Sequence, residues 1–406
     1  MEDTDMALVS TPAVATAAAG LADVADKFAA SPTIGPLPRP LPKELEPIEH
    51  ALANGRYQSP LRYPGAKSAL APVIARIITS ARRSREVGNI DLLVEPFAGG
   101  ASASLRLVGS GVVDRILLAD ADPLVAAFWQ TAAEDTERLI DRAYDEWDRF
   151  VRPGGHLGVQ RWDYWRVWEP RRNTQPRTRR LGAAMKCLFL NRTTFSGILH
   201  GTAGPLGGRL QQSPYTIGCR WNPDGLAERI RLVGHLYHTG RLVDVWRKDW
   251  HQTLVDVPEY YPQLLPSRVV AYLDPPYVEK SSALYRASFD PAYSYHGTRR
   301  AQASKDDSLH LMLANHLTRK AQFRWVLSYD NHPMLTDNRW LYANSRMTPS
   351  AADRALLGVS QWTISKRLIT MRYTAAGRVG KRSADELLLT TLPPATVPID
   401  DQLRIV

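Results

Sequence analysis

Cysteine is nearly missing from this chain: Cys187 and Cys219 are the only two in 406 residues. Two thiols exclude a disulfide framework, and neither sits at metal-ligand spacing with nearby histidines, so both read as reduced thiols and no metal is expected. Long apolar runs are also absent, with nothing reaching the roughly 18 consecutive apolar residues of a membrane span. The Ala-rich stretch from Ala7 to Ala22 follows the acidic opening Glu2-Asp3-Thr4-Asp5 and is broken by Ser10, Thr11, Pro12 and Thr16, unlike a secretory signal. A cytoplasmic protein with no membrane partner is the expectation. Two nucleotide fingerprints are missing as well. No G-x-G-x-x-G follows a strand, which argues against a nicotinamide or flavin enzyme, and Gly65-Ala66-Lys67-Ser68 lacks the G-x-x-x-x-G-K-[ST] spacing needed to hydrolyse a nucleotide. No internal repeat is visible.

What is present is a basic, core-forming chain. Hydrophobic residues make up 44% of it, enough for at least one large core, and the net charge of +10 suits an anionic partner. The charge is unevenly placed: residues 151–250 hold 17 Lys and Arg against 6 Asp and Glu, whereas residues 1–50 hold 3 against 8. That first segment, rich in Ala and with Pro36, Pro38, Pro40 and Pro42 at alternate positions, reads as a disordered arm over 1–50.

From Tyr57 onward, short apolar runs end in special turns and lead into helical patterns, the texture of alternating strands and helices. Four runs read as buried parallel strands: Ile90 to Val94, Ile116 to Ala119, Val269 to Leu273 and Trp325 to Leu327. Leu368 to Tyr373 and Glu386 to Thr391 read as an antiparallel pair closing the sheet. Some 150 residues separate the second run from the third, too many for an ordinary crossover. The predicted fold is therefore α/β, a Rossmann-like, mostly parallel sheet formed by 57–130 and 258–398, with a largely helical domain inserted over 131–257.

The candidate chemistry lies at the strand ends. At Asp274-Pro275-Pro276-Tyr277 two prolines stop the strand, leaving the Asp274 carboxylate and the Pro275 carbonyl as acceptors at its tip. Two acceptors facing an exocyclic amine pull on its protons and favour the pyramidal, nucleophilic form, and Tyr277 offers a face for stacking. The bland alternative is a rigid turn. Upstream, Leu92-Leu93-Val94-Glu95-Pro96-Phe97-Ala98-Gly99-Gly100-Ala101-Ser102 is a strand, a small-residue turn and a helix start, where a ligand can approach backbone. The next strand ends at Asp120, a carboxylate placed to accept from ribose hydroxyls. Together they suit an adenosine-type ligand. Arg171, Arg172, Arg177, Arg179 and Arg180 lie within ten residues of the basic segment and suit phosphate contacts, or else form a solvated loop. Trp162, Trp165 and Trp168, at i, i+3 and i+6, read as helix core.

Taken in order, Leu61-Arg62-Tyr63-Pro64-Gly65-Ala66-Lys67, Glu95 to Ser102, Leu190-Asn191-Arg192-Thr193-Thr194-Phe195-Ser196-Gly197, Asp274 to Tyr277, Ala283 to Phe289 and Val326-Leu327-Ser328-Tyr329-Asp330 resemble the Dam-type (class alpha) DNA N6-adenine methyltransferases. The resemblance runs from about Tyr57 to Pro394. Ala66 departs from it where a second glycine is usual, and Asp122 where an asparagine often follows the acidic residue.

The resemblance implies S-adenosylmethionine as cofactor and methyl transfer to adenine N6 in duplex DNA after base flipping. It assigns Tyr63 and Lys67 to the cofactor's methionine end, Glu95, Pro96, Phe97, Gly99 and Gly100 to the turn around it, and Asp120 to its ribose or adenine edge. Asp274, Pro275, Pro276 and Tyr277 would grip the target base. The insert would read DNA, with Asn191 and Arg192 joining the five arginines. A cognate restriction endonuclease is a candidate partner, and a monomer or weak dimer is expected. The alternatives are methylation of cytosine N4 or of RNA adenine, and a catalytically silent DNA-binding relative.

Overall fold

The structure is a computed structural model and describes residues 59–62, 69–277, 306–336, 342, 362–373 and 382–406. The expected arm over 1–50, the segment around Tyr63 and Lys67 and the stretch Ala283 to Phe289 lie outside the described residues.

Eight strands form one sheet: β1 (Leu92–Glu95), β2 (Arg115–Ala119), β3 (Leu242–Trp246), β4 (Val269–Leu273), β5 (Arg324–Asp330), β6 (Ser365–Tyr373), β7 (Arg382–Thr390) and β8 (Leu403–Ile405). Their order is β3-β2-β1-β4-β5-β7-β6-β8. The first five in that order are mutually parallel, β7 runs against both β5 and β6, and β8 against β6. The expected runs are all strands, Val269–Leu273 with the same bounds and the others shifted by one to four residues at their ends.

Successive residues of the central strands enter opposite cores, which is why these strands are apolar throughout instead of alternating. Leu93, Ile116, Leu118, Val270 and Tyr272 join one buried cluster, and Leu92, Val94, Leu117, Ala271 and Leu273 join the other. The first cluster takes helices α1 (Ala71–Arg82), α2 (Ser102–Gly109), α3 (Pro123–Glu134) and α7 (Pro223–His238); the second takes α8 (Trp250–Tyr260) and α9 (Asp306–Arg319). The chain thus covers one face while winding outward from β1 to β3, then the other while returning through β4 to β5. The winding reverses between β1 and β4, where loops leave in opposite directions and open a crevice at the strands' C-terminal ends.

One strand escaped the sequence reading. β3 lies inside the span expected to be an insert, and it pairs in parallel with β2 across a register shift at Ile116/Leu117. It carries Asp244 at its centre, which interrupts the apolar run; Asp244 takes the Trp246 indole at 2.5 Å and the Val245 amide at 2.7 Å. The sheet therefore claims 242–246, and α3 and α7 belong to its covering layer. What remains as an addition between α3 and α7 is 136–222.

That addition contains α4 (Thr136–Glu146), α5 (Gly155–Val167) and α6 (Pro176–Thr193). Its core is continuous with that of the sheet: Leu139, Ile140, Trp165, Leu188 and Phe189 belong to the same cluster as Phe128 and Trp129 of α3. The tryptophans behave as core, Trp162 and Trp165 buried and Trp168 packed against the cluster. At its centre the Glu146 carboxylate is fully buried and takes Arg161 through Nε at 2.8 Å and Nη2 at 2.5 Å, with the Trp165 indole at 3.2 Å. The guanidinium lies over the Phe150 and Tyr164 rings, 4.3 and 4.2 Å from their centroids. Removing one member of such a buried pair leaves the other charge uncompensated. Glu146→Ala should cost about 3–5 kcal/mol, measured by urea unfolding, whereas exposed pairs such as Arg209–Asp163 should cost under about 1 kcal/mol.

Candidate active site

β1 and β4 are neighbours in register, Val94 opposite Ala271, so the residues that follow them come out side by side. Glu95 is the last residue of β1 and is 4% exposed; Asp274 directly follows β4 and is half-buried. The Asp274 carboxylate is held from β5: Ser328 Oγ donates to Asp274 Oδ1 at 3.0 Å, and the Tyr272 hydroxyl stands 3.0 Å from the same Ser328 oxygen. An ionised carboxylate only accepts, so Ser328 donates to Asp274 and Tyr272 donates to Ser328. The result is a directed row, Tyr272 to Ser328 to Asp274, in which Tyr272 and Ser328 are wholly buried. At the other end of the tetrapeptide, Tyr277 donates from its hydroxyl to Glu386 Oε1 at 2.9 Å, and its ring packs on the second core cluster. Pro275 is buried between the two ends and Pro276 is half-buried.

The small-residue turn after β1 is tight. Gly99 has φ +44° and Ala101 φ +45°, and the Ala101 amide closes onto the Ala98 carbonyl at 2.5 Å. Asp120 clamps this turn to β2, accepting the Gly99 amide at 2.8 Å on one oxygen and the Asp122 amide at 2.9 Å on the other. Trp129 on α3 donates its indole N–H to the Gly99 carbonyl at 2.9 Å. Asp120 thus spends an acceptor on each side building the turn, a use that the sequence reading did not foresee. Pro96, Gly99 and Gly100 are buried and Phe97 is half-buried, whereas Tyr63 and Lys67 lie outside the described residues.

Asp122 has two tasks. It caps α3, accepting the Leu124 amide at 2.8 Å ahead of Pro123, and its second oxygen meets His200 Nε2 at 2.6 Å. His200 comes from the loop beyond α6, so this contact ties the addition to the rim of the turn. Nothing in the spacing of a lone histidine marked it out.

Burial dominates the site's electrostatics. It pushes the Glu95 carboxyl up to about 8, with Asp274 and Asp120 adding to the rise and Ser104 on α2 offsetting part of it. Neither Glu95 Oε2 nor Ser104 Oγ has a well-formed hydrogen bond among the described residues. Asp120 rises to about 7, through burial first and then its neighbour Asp122. Three carboxyl groups, Glu95, Asp120 and Asp274, therefore crowd one crevice, an arrangement that favours a cationic ligand.

The expected DNA contacts divide. Arg171 and Arg172 are exposed; Arg177 makes a two-pronged pair with Asp135 at 2.8 and 2.6 Å, Arg180 pairs with Glu134 at 2.6 Å, and Arg179 donates to the Arg172 and Thr174 carbonyls. Asn191 and Arg192 sit apart from these arginines. Both are buried, Asn191 gripping the backbone of Arg62 at 2.7 and 2.8 Å and Arg192 bound to the Pro60 carbonyl, so they hold the chain ahead of Tyr63 and do not face solvent. Gly197 completes this clasp: with φ +75°, its backbone lies where a Cβ would stand 2.3 Å from the Arg62 carbonyl oxygen. A polar Asn-Arg pair in a basic segment looks the same in sequence whether or not it also binds its own backbone.

The sheet, its reversal point and the acid-lined crevice beside a strand-end Asp-Pro-Pro-Tyr define a methyltransferase-like α/β domain. Residues 63–201 match the family model described as D12 class N6 adenine-specific DNA methyltransferase. Over those residues the chain is similar to that family, and the match is in keeping with the Dam-type resemblance of the motifs. It spans β1 through the loop that carries His200 and stops short of β4. No curated protein matches the chain. Among the described residues no helix is long and apolar enough to cross a membrane, and no group of three His, Cys, Asp or Glu could hold a metal.

The raised Glu95 pKa has a direction that can be measured. A carboxyl that binds its proton more tightly in the folded state adds stability that is full below its unfolded pKa and is lost as pH rises through about 8. Glu95→Gln should therefore melt above the parent protein at pH 9 and near it at pH 5 in calorimetric scans, at the expense of ligand binding. A variant less stable at every pH would show that Glu95 is a structural support.

Proposed function

We propose that this chain transfers a methyl group from S-adenosylmethionine to the N6 of adenine in duplex DNA, with the target base turned out of the helix into the crevice between β1 and β4. The observation that carries this reading is the fixed Asp274 carboxylate at the tip of β4, beside the buried Glu95 at the tip of β1.

The described residues fit the cofactor. Its adenosine part suits the Gly99–Gly100 turn, and its positive charge suits Glu95 and Asp120, two buried carboxyls that lack cationic partners of their own among the hydrogen bonds described above. When bound, S-adenosylmethionine supplies an electrophilic methyl group carried on a cationic sulfur. The chain's own part is positioning and proton management. Asp274, oriented by Ser328, accepts one N6 hydrogen and keeps the amine's lone pair out of conjugation with the ring. The Pro275 carbonyl is the second acceptor, and Tyr277 gives the base a face. Adenine N6 gains the methyl group and loses one proton, for which Asp274 is the nearest base. Turning out the base costs a few kcal/mol, repaid in this closed site.

The addition over 136–222, together with the exposed arginines Arg171 and Arg172, is the proposed DNA-reading part, narrower than the 131–257 span that sequence alone suggests. Arg177, Arg179 and Arg180 remain on that surface. Arg177 is largely exposed although its partner Asp135 is buried, so a phosphate reaching it would compete with that two-pronged pair.

Two measurements test the reading. Transfer of tritiated methyl to adenine-containing duplex should fall by about 10²- to 10⁴-fold in Asp274→Ala; full activity in that variant, or no label from the parent protein, ends the proposal. Cofactor binding should release protons, because a sulfonium favours ionised Glu95 and Asp120 and so draws their pKa values down from about 8 and 7. Affinity should then rise with pH between about 6 and 8, and calorimetry in buffers of different ionisation heat should show proton release; proton uptake would contradict the assignment.

A further inference from the structure

The tetrapeptide is held at both ends, and only one of its anchors lies where the sequence pattern points. Asp274 is fixed from β5 by Ser328, within a segment whose resemblance to the family is already visible. Tyr277 is fixed from β7 by Glu386, which no motif marks. Because β7 runs against β5, its early residues arrive at the C-terminal edge of the parallel strands, and Glu386 stands opposite Asp330, the last residue of β5. It is 2% exposed and directly precedes the buried Leu387, Leu388 and Leu389 of β7. A buried carboxylate in such a run is costly. It is placed where the Tyr277 phenol donates to it at 2.9 Å. Burial pushes the Tyr272 phenol up, and the charges of Asp274, Glu95 and Glu386 add to the rise.

We propose that Glu386 is a positioning residue that fixes the Tyr277 ring, through its hydroxyl, at the angle needed to stack on the flipped adenine. This rests on the adenine methyltransferase reading above. A phenylalanine at 277 would keep the stacking face but turn about its side-chain bonds; the hydrogen bond to Glu386 removes that freedom before the base arrives. Pre-set geometry of this kind acts on the orientation of N6 toward the incoming methyl, and so on turnover, more than on cofactor affinity. The antiparallel insertion of β7 between β5 and β6 thereby has a functional consequence: it brings a carboxylate to an edge that the parallel strands alone could not supply.

A double-mutant cycle tests it with full-length protein and adenine-containing duplex. Tyr277→Phe and Glu386→Leu should each lower kcat about 10-fold, the range of one hydrogen bond to a charged group, with the KM for S-adenosylmethionine unchanged. The double variant should be no worse than either single variant, and Glu386→Gln, which keeps an acceptor oxygen, should recover most of the turnover. Losses that multiply to about 100-fold in the double variant, or a Glu386→Gln as impaired as Glu386→Leu beside an unimpaired Tyr277→Phe, would overturn the proposal. Thermal unfolding of the four proteins separates folding loss from positioning: a variant that fails to fold shows in its melting curve, and Glu386→Gln then carries the comparison. A parent protein that leaves adenine unlabelled sinks the methyltransferase reading itself, an outcome distinct from an active parent whose cycle shows independent losses.

Discussion

The pairing of β1 with β4 is the constraint on which the rest depends. Their parallel register puts Glu95 and Asp274 at adjacent strand ends, and the reversal of winding at that point leaves the space above them unfilled. Burial penalises the charged form of Glu95, and the nearby Asp274 carboxyl adds to the penalty, so Glu95 keeps its proton up to about pH 8. A cation beside these carboxyls would favour their ionised forms. The fold thus places the acids where the proposed sulfonium cofactor would be favoured.

Around that pair the structure builds rigid support from several directions. Ser328 and Tyr272 steer Asp274, Asp120 and Trp129 pin the glycine turn, and Glu386 reaches Tyr277. Most of these contacts come from strands and helices and few from loops, as the proposed in-line methyl transfer would require. Polar groups buried this way are expensive unless satisfied, and their satisfaction by one another is what gives the crevice a single geometry.

Legibility in the sequence followed a simple division. Strands buried on both faces announce themselves as continuous apolar runs, so β1, β2, β4 and β5 were visible, and Asp-Pro-Pro-Tyr was visible because two prolines leave no other reading for a strand end. β3 was hidden by Asp244, a charged residue at its centre that finds its partners in Trp246 and Val245, one and two residues away. The backbone partners of Asn191 and Arg192 were not legible, because residue type does not reveal whether a polar side chain points to solvent or to a buried backbone segment 129 or more residues away. Glu386 and His200 belong to the same category: each acquires its meaning from a partner distant in sequence. Local chemistry was readable, and long-range pairing was not.

The addition between α3 and α7 shows why such pairing matters for function. It shares the sheet's core through Trp165, Phe189 and Phe128, so it cannot swing freely as a tethered module. Asn191 and Arg192 hold Pro60 and Arg62, and His200 touches Asp122 beside the Asp120 clamp. If the addition contacts DNA as proposed, a shift of α6 is transmitted to Pro60 and Arg62 and to the rim of the glycine turn. Under that proposal a misplaced duplex would distort the turn before it reached Asp274, and the continuous core would couple recognition to the geometry of the site.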